Sequence, residues 1–215
     1  MKSPTAKQLL QNQPGAVYAA SGFFLEKGGN MSDKAGVYGA ETIAAGKYLV
    51  LQKVKFSNGR KLEGVWECVN RTNATGAAVI IPRLMPGGDF ILIRQFRPPA
   101  GRYVIEFPAG LIEPGETPES TAIRELYEET GYQGTIDKVI PPSYNSPGMS
   151  GETVSMVLMT VDKNAYPEIP ENHQEDSEDI ETIVVSRADL PAFVEQSIAR
   201  GDGIDARIAV FAAMS

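Results

Sequence analysis

Gly110-Leu-Ile-Glu-Pro-Gly-Glu116-Thr-Pro-Glu-Ser-Thr-Ala-Ile-Arg124-Glu125-Leu-Tyr-Glu128-Glu129-Thr-Gly131-Tyr132 reads as a bent loop running into one helix. Thr117 suits an N-cap, Pro118 a first-turn position and Gly131 a site just past the end, which predicts a helix over Pro118–Thr130. At about 100° per residue, Ala122, Ile123, Leu126, Tyr127 and Thr130 share one side and are expected to pack on a sheet. Glu125, Glu128 and Glu129 project together from another side. They occupy the last turns, where the helix dipole disfavours acids, and like charges four apart cost a few tenths of a kcal/mol more, on the order of 0.2–0.5. Only Arg124 offers local compensation. That arrangement is wrong for a bare helix and right for one that holds hard divalent cations through carboxylate oxygens.

Three glutamates alone would read as a solvated acidic face. They do not explain the preceding bend at Gly110, Pro114 and Gly115, nor Glu116 at its end. Gly, five residues, Glu, seven residues, then Arg-Glu-Leu-x-Glu-Glu-x-Gly and an aromatic residue matches the full signature of the Nudix hydrolases. On that pattern the chain resembles that family. The resemblance implies an α+β fold: an α/β/α sandwich around a mixed sheet, hydrolysing a nucleoside diphosphate linked to another moiety.

The flanks narrow the resemblance. Arg94-Gln-Phe-Arg97-Pro-Pro and Glu106-Phe-Pro-Ala-Gly-Leu-Ile are similar to the ADP-ribose pyrophosphatases and their ADP-sugar-hydrolysing relatives, as is a proline sixteen residues beyond Gly131, here Pro147. The motif and the four-Cys module of the NADH-diphosphatase branch are absent. The implied reaction is Mg²⁺-dependent (Mn²⁺ being a substitute) cleavage of ADP-ribose to AMP and ribose 5-phosphate. By resemblance Glu125 and Glu129 are the principal metal ligands, Glu116 and Glu128 assist, and the Ala109 carbonyl completes the shell. Arg124 orients the box glutamates through ion pairs. The water-activating acid is expected outside the box, before a late strand. Asp176-Ser-Glu178-Asp-Ile-Glu181 supplies it, Glu178 being the choice, Glu175 and Asp176 close competitors and Glu152 a weaker one.

Substrate recognition calls for a flat apolar surface and cations. Trp66, the single tryptophan, precedes Glu67-x-Val-x-Arg71, where relatives stack a Trp on adenine. Glu67 is then placed to accept from the adenine amino group, and Tyr48 stands where relatives carry a second aromatic. Arg71 and Arg97 are the candidates for phosphate, with a structural ion pair the competing role for Arg97. In relatives the N-terminal hairpin packs across a two-fold axis, which implies a homodimer with that β-subdomain exchanged.

Around this centre the chain reads as three parts: an arm over 1–35, a small antiparallel β-subdomain over 36–75 and a hydrolase domain over 76–215. Strands are expected at Tyr48–Phe56, Lys61–Asn70, Ala77–Leu84, Phe90–Phe96, Tyr103–Phe107, Gln133–Ile140, Val154–Val161 and Ile180–Val185. Ser186 with Asp189 resembles a capping box opening a helix to Arg200, and a last helix is expected over Asp205–Ala213. With 27 acids against 20 Lys and Arg, the 215-residue chain carries a net charge of −7 and has no basic cluster, which argues against nucleic acid as a partner. The longest apolar run, Ala77–Ile81, is far short of a membrane span. One cysteine and one histidine exclude a disulfide framework and a Cys/His zinc site, and His173 lies in an acidic stretch unsuited to a triad. The lone cysteine fits a reducing, cytoplasmic setting. Residues 1–30 lack Arg and a signal-like apolar core, although organellar targeting stays open. Two other functions compete: hydrolysis of another NDP-sugar such as GDP-mannose, and a silent ADP-ribose-binding regulator, which lost box acids would favour.

Overall fold

The computed structural model describes residues 35–74 and 76–215, so the expectations for the arm lie outside the described residues. The chain divides into two compact units. The first contains the described residues up to Gly76 together with Tyr144–Thr153. Its three strands, β1 (Gly36–Ala45), β2 (Leu49–Ser57) and β3 (Glu63–Arg71), form an antiparallel sheet in the order β1-β2-β3. Asn58 closes the β2–β3 turn by accepting from the Arg60 and Leu62 amides through its side chain. β1 was not expected. Its Gly- and Ala-rich sequence shows no alternation, and it is held by pairing along β2 with two register shifts.

The second unit, Ala77–Ser143 with Val154–Ser215, is the sandwich. Its strands are β4 (Ala77–Met85), β5 (Asp89–Arg97), β6 (Arg102–Glu106), β7 (Ala109–Leu111), β8 (Thr135–Tyr144), β9 (Thr153–Asp162), β10 (Ile180–Val185) and β11 (Gly203–Ile204). They form a sheet ordered β11-β6-β5-β4-β9-β8, with β10 added to β5 and β7 to β4. The β4–β9 and β11–β6 pairs are parallel and β4–β5 and β5–β6 antiparallel, so the sheet is mixed. β4 and β5 are buried on both faces, which is why they read as continuous apolar runs. Ala78, Ile80 and Ile91 meet Ala122 and Leu126 of helix α1 (Pro118–Thr130) on one face. Val79, Ile81, Phe90 and Leu92 pack with Leu190 of α2 (Leu190–Arg200) and Ile208 of α3 (Ala206–Ala213) on the other.

The helix expected from Ser186 begins at Leu190, with Asp189 as N-cap. Ser186 and Asp189 do bond each other, Oγ to Oδ2 at 2.6 Å, but they close a turn that precedes the helix. Proline at 191 fits the first turn of the later start.

Candidate active site

Helix α1 carries the site and is capped as its sequence dictates. Thr117 accepts from the Ser120 amide, the Ser120 hydroxyl accepts from the Thr117 amide, and Gly131 ends the helix at φ 72°. The buried stripe is Thr121, Ala122, Leu126, Glu129 and Thr130, whereas Ile123 and Tyr127 are exposed. This corrects the expected apolar face: the helix is rotated so that an acid, Glu129, lies inward at 2% exposure. Tyr127 is used elsewhere, stacking on His173 at 4.4 Å between ring centres.

Glu129 Oε2 accepts from the Ala109 amide at 3.0 Å. The group that Ala109 turns to the carboxylate is thus its N–H. Burial first, then repulsion from Glu125, pushes the Glu129 carboxyl well above its ordinary range. Glu125 is raised as well, again chiefly by burial. Its carboxylate lies against the backbone at Gly110, where an added Cβ would come within 1.7 Å of Oε1. Only glycine leaves that room.

Arg124 gathers the remaining acids. Its Nε and Nη2 donate to Glu116 at 2.9 and 3.0 Å, and Nη1 donates to Glu125 at 2.7 Å and to Glu128 at 3.0 Å. Bonds from Arg124, the Glu113 amide and Thr121 hold the Glu116 carboxyl down at about 2. Glu128, four residues on, is the most exposed of the group.

Glu178 reaches the same place from the loop before β10. It is half-buried, whereas Glu175 and Asp176 are exposed. Its charge bears on both Glu125 and Glu129. The acidic loop is tied down at each end. The His173 amide donates to the Glu128 carbonyl at 2.7 Å, and the loop backbone at Glu171 lies so near Gly131 that a Cβ there would meet its oxygen at 2.2 Å. At the other end the Phe96 amide donates to the Asp179 carbonyl, and the Tyr103 hydroxyl donates to the Asp179 carboxylate. Arg97 is engaged by Glu106 in a two-pronged pair at 2.7 and 2.9 Å.

In the first unit, Trp66 is 53% exposed, with its indole N–H donating to the Gly148 carbonyl at 2.8 Å and its ring edge-on to Phe56. The loop that carries Pro147 therefore docks on β3. The Val69 amide donates to the Met149 carbonyl, and Arg71 pairs with Glu152. That ion pair occupies Arg71 and takes up Glu152. Glu67 lies 3.9 Å from Lys53, and Tyr48 is exposed with the Lys47 ammonium over its ring.

The family model for the NUDIX domain matches residues 74–201. The chain belongs to the Nudix family. It is 37% identical over 158 residues to a Mus musculus protein named ADP-sugar pyrophosphatase, covering 70% of this chain and 72% of that one. It is 33% identical over 175 residues to a Saccharomyces cerevisiae protein named ADP-ribose pyrophosphatase, covering 75% and 74%. The solved structure of an ADP compounds hydrolase superposes with a TM-score of 0.58 at 26% identity, over 75% of this chain and 83% of that one.

Nudix hydrolases are generally dependent on divalent metal. The donor set here suits a hard cation: four carboxylates (Glu116, Glu125, Glu128, Glu129) against one guanidinium, with Glu125 seated in the space left by Gly110. Among the described residues no three acids stand together as a ready ligand cage, and the Arg124 cation pairs with Glu116, Glu125 and Glu128. Sequence reasoning missed Glu106, Tyr103 and Asp179. The first lay in the quoted flank beside Arg97's motif and was the nearest to being legible. Among the described residues no helix is long and apolar enough to cross a membrane.

Proposed function

We propose that this Nudix hydrolase cleaves the pyrophosphate of ADP-ribose, and of related ADP-sugars, giving AMP and the corresponding sugar phosphate (ribose 5-phosphate from ADP-ribose) with Mg²⁺ as its cation. The buried Glu129, paired with Glu125 at the Gly110 backbone, is the observation that carries the reading. Folding gains nothing from an acid placed there, so its position is a functional one. The relatives named for ADP-ribose and ADP-sugars supply the substrate class.

Glu125 and Glu129 would be the principal ligands, with Glu116 and Glu128 assisting and the Ala109 carbonyl completing the shell, while Arg124 orients the glutamates through its ion pairs. A divalent cation, when bound, neutralises pyrophosphate charge and acidifies a coordinated water. Glu178 accepts the proton of the attacking water. Arg97, oriented by Glu106, turns its remaining guanidinium edge to a phosphate oxygen. Trp66 offers its exposed face to adenine, with Glu67 accepting from the amino group, and Arg71, released by Glu152, is a second phosphate contact. Tyr48 and Pro147 complete the proposed recognition surface, and a homodimer with the β-subdomain exchanged is part of the same proposal.

The test is a comparison of kcat/KM with Mg²⁺ for ADP-ribose, ADP-glucose, GDP-mannose, NADH and diadenosine polyphosphates. The proposal expects ADP-ribose or an ADP-sugar to lead. A preference for GDP-mannose would move the reading to other NDP-sugars, and ligand binding without turnover would make the protein a regulator.

A further inference from the structure

Gln95 lies on β5, directly across from Ile180 in the β5–β10 pair, and only 5% of it is exposed. Its Nε2 approaches Glu178 Oε1 at 3.5 Å, the long end of hydrogen bonding. Its Oε1 is fully buried and has no protein partner. The orientation of the amide follows from its neighbour: an ionised carboxylate only accepts, so the NH₂ end must face Glu178 and the carbonyl must face away from it. Buried polar groups are nearly always hydrogen-bonded, because an unmet acceptor is costly, and an orphan in a native interior calls for an explanation.

The surroundings supply one. Strand β5 places Gln95 two residues from Arg97, and the charges of Glu129 and Glu178 both bear on Arg97. Glu178 Oε2 accepts from the Glu175 amide at 3.2 Å, so its two oxygens are held from opposite directions, one by the loop and one by Gln95. The backbone behind it is pinned too, since the Ile180 amide donates to Gln174 Oε1 at 2.8 Å and the Asn172 side chain donates to the Ile180 carbonyl.

We propose that Gln95 is the positioning residue for the general base: its amide N–H aims the Glu178 carboxylate at the attacking water, at the cost of leaving its own buried carbonyl unmet. The inference rests on the hydrolytic reading above and deepens it. A methionine of nearly the same shape removes both polar ends, leaves no cavity and discards the orphan acceptor.

The experiment compares wild type, Q95M, E178Q and the double variant by kcat and KM for ADP-ribose, by equilibrium binding of a methylene-bridged ADP-ribose analogue, and by melting temperature. Q95M is expected to lose about tenfold or more in kcat, the scale of partial loss of general-base catalysis. KM and analogue affinity should stay within about twofold. Its Tm should equal or exceed that of the wild type, since a buried unmet carbonyl is gone. In the E178Q background the same change should cost almost nothing, because its effect runs through Glu178. Full kcat in Q95M, additive losses in the double variant, or a Tm lowered along with activity would each overturn the assignment. A wild type that hydrolyses no nucleoside diphosphate would instead overturn the proposed function, and this inference with it.

Discussion

Replacing Glu129 by Gln separates what this side chain costs the fold from what it gives the reaction. The carboxylate is 2% exposed, has one backbone donor at 3.0 Å and faces Glu125 and Glu178. Holding it ionised is therefore a net burden on the metal-free protein. The amide keeps the shape and keeps an oxygen for the Ala109 N–H while removing the charge. A buried ion carries an effective desolvation penalty on the order of several kcal/mol, so neutralising it with the shape kept is expected to stabilise by a part of that, about 2 kcal/mol. A change of about 2 kcal/mol corresponds to a Tm rise of roughly 4–8 °C for a chain of this size. The effect has a definite pH dependence. Glu129 titrates well above the unfolded value of about 4.3, so the wild type loses stability as pH rises through the native value, and the advantage of E129Q should vanish below about pH 4. Cation reverses the ranking, since a ligand at one hundred times its Kd stabilises the wild type by about 2.7 kcal/mol and the variant far less. Calorimetry of both proteins at pH 8 and pH 4, in EDTA and in excess Mg²⁺, reads all of this alongside turnover. An E129Q protein that melts below wild type in EDTA at pH 8, or that turns over normally, would refute the reasoning.

Other outcomes follow from the same geometry. G110A should fold yet lose roughly 100-fold in kcat, because its Cβ must push the Glu125 carboxylate aside and displacements near 1 Å cost about that much; undiminished turnover would show that Glu125 does not act from this position. E125Q should need more Mg²⁺ and recover partly in excess, whereas E178Q should lose kcat with unchanged Mg²⁺ and ligand affinity; a Mg²⁺ titration of turnover distinguishes them, and rescue of E178Q would place Glu178 among the metal ligands. W66A should stay folded, since Trp66 is half-exposed, and raise KM for ADP-ribose by roughly 5- to 150-fold, the equivalent of about 1–3 kcal/mol of base stacking; unchanged KM would remove it from the site. Glu116, held at about 2 by Arg124, stabilises the fold above pH 4.3 and ceases to do so as pH falls toward 2, so E116Q should melt below wild type at pH 7 and converge with it at pH 2.

The sandwich was legible where local and global demands coincide. Thr117, Pro118 and Gly131 bound α1 as read, and β4 and β5 announce themselves because both of their faces are buried. Legibility failed where a function or a neighbour overrides propensity. β1 has no alternation and exists by pairing with β2. The face of α1 was misjudged because amphipathic reasoning places acids outward, whereas here Glu129 takes an inward position and leaves Ile123 and Tyr127 to solvent. Asp189 displaced Ser186 as the cap because both residues carry the same chemistry, and only the backbone decides between them. The spacing of Gly110 through Tyr132 marked the acids as a set. The ion pairs of Arg124 and the structural pairing of Arg97 were legible as roles, but the identity of Glu106 as the Arg97 partner and the burial of Gln95 beside Glu178 were not. Those are distances across the fold, and a linear sequence does not display them.

The central claim is that the carboxylates of α1 hold divalent cation for hydrolysis of an ADP-linked pyrophosphate. The measurement that tests it most directly is product analysis after incubation of the purified protein with ADP-ribose, with Mg²⁺ and with EDTA. The account predicts AMP and ribose 5-phosphate in equal amounts with Mg²⁺, and neither with EDTA. Intact ADP-ribose in the presence of Mg²⁺, or equal turnover in EDTA, would contradict it.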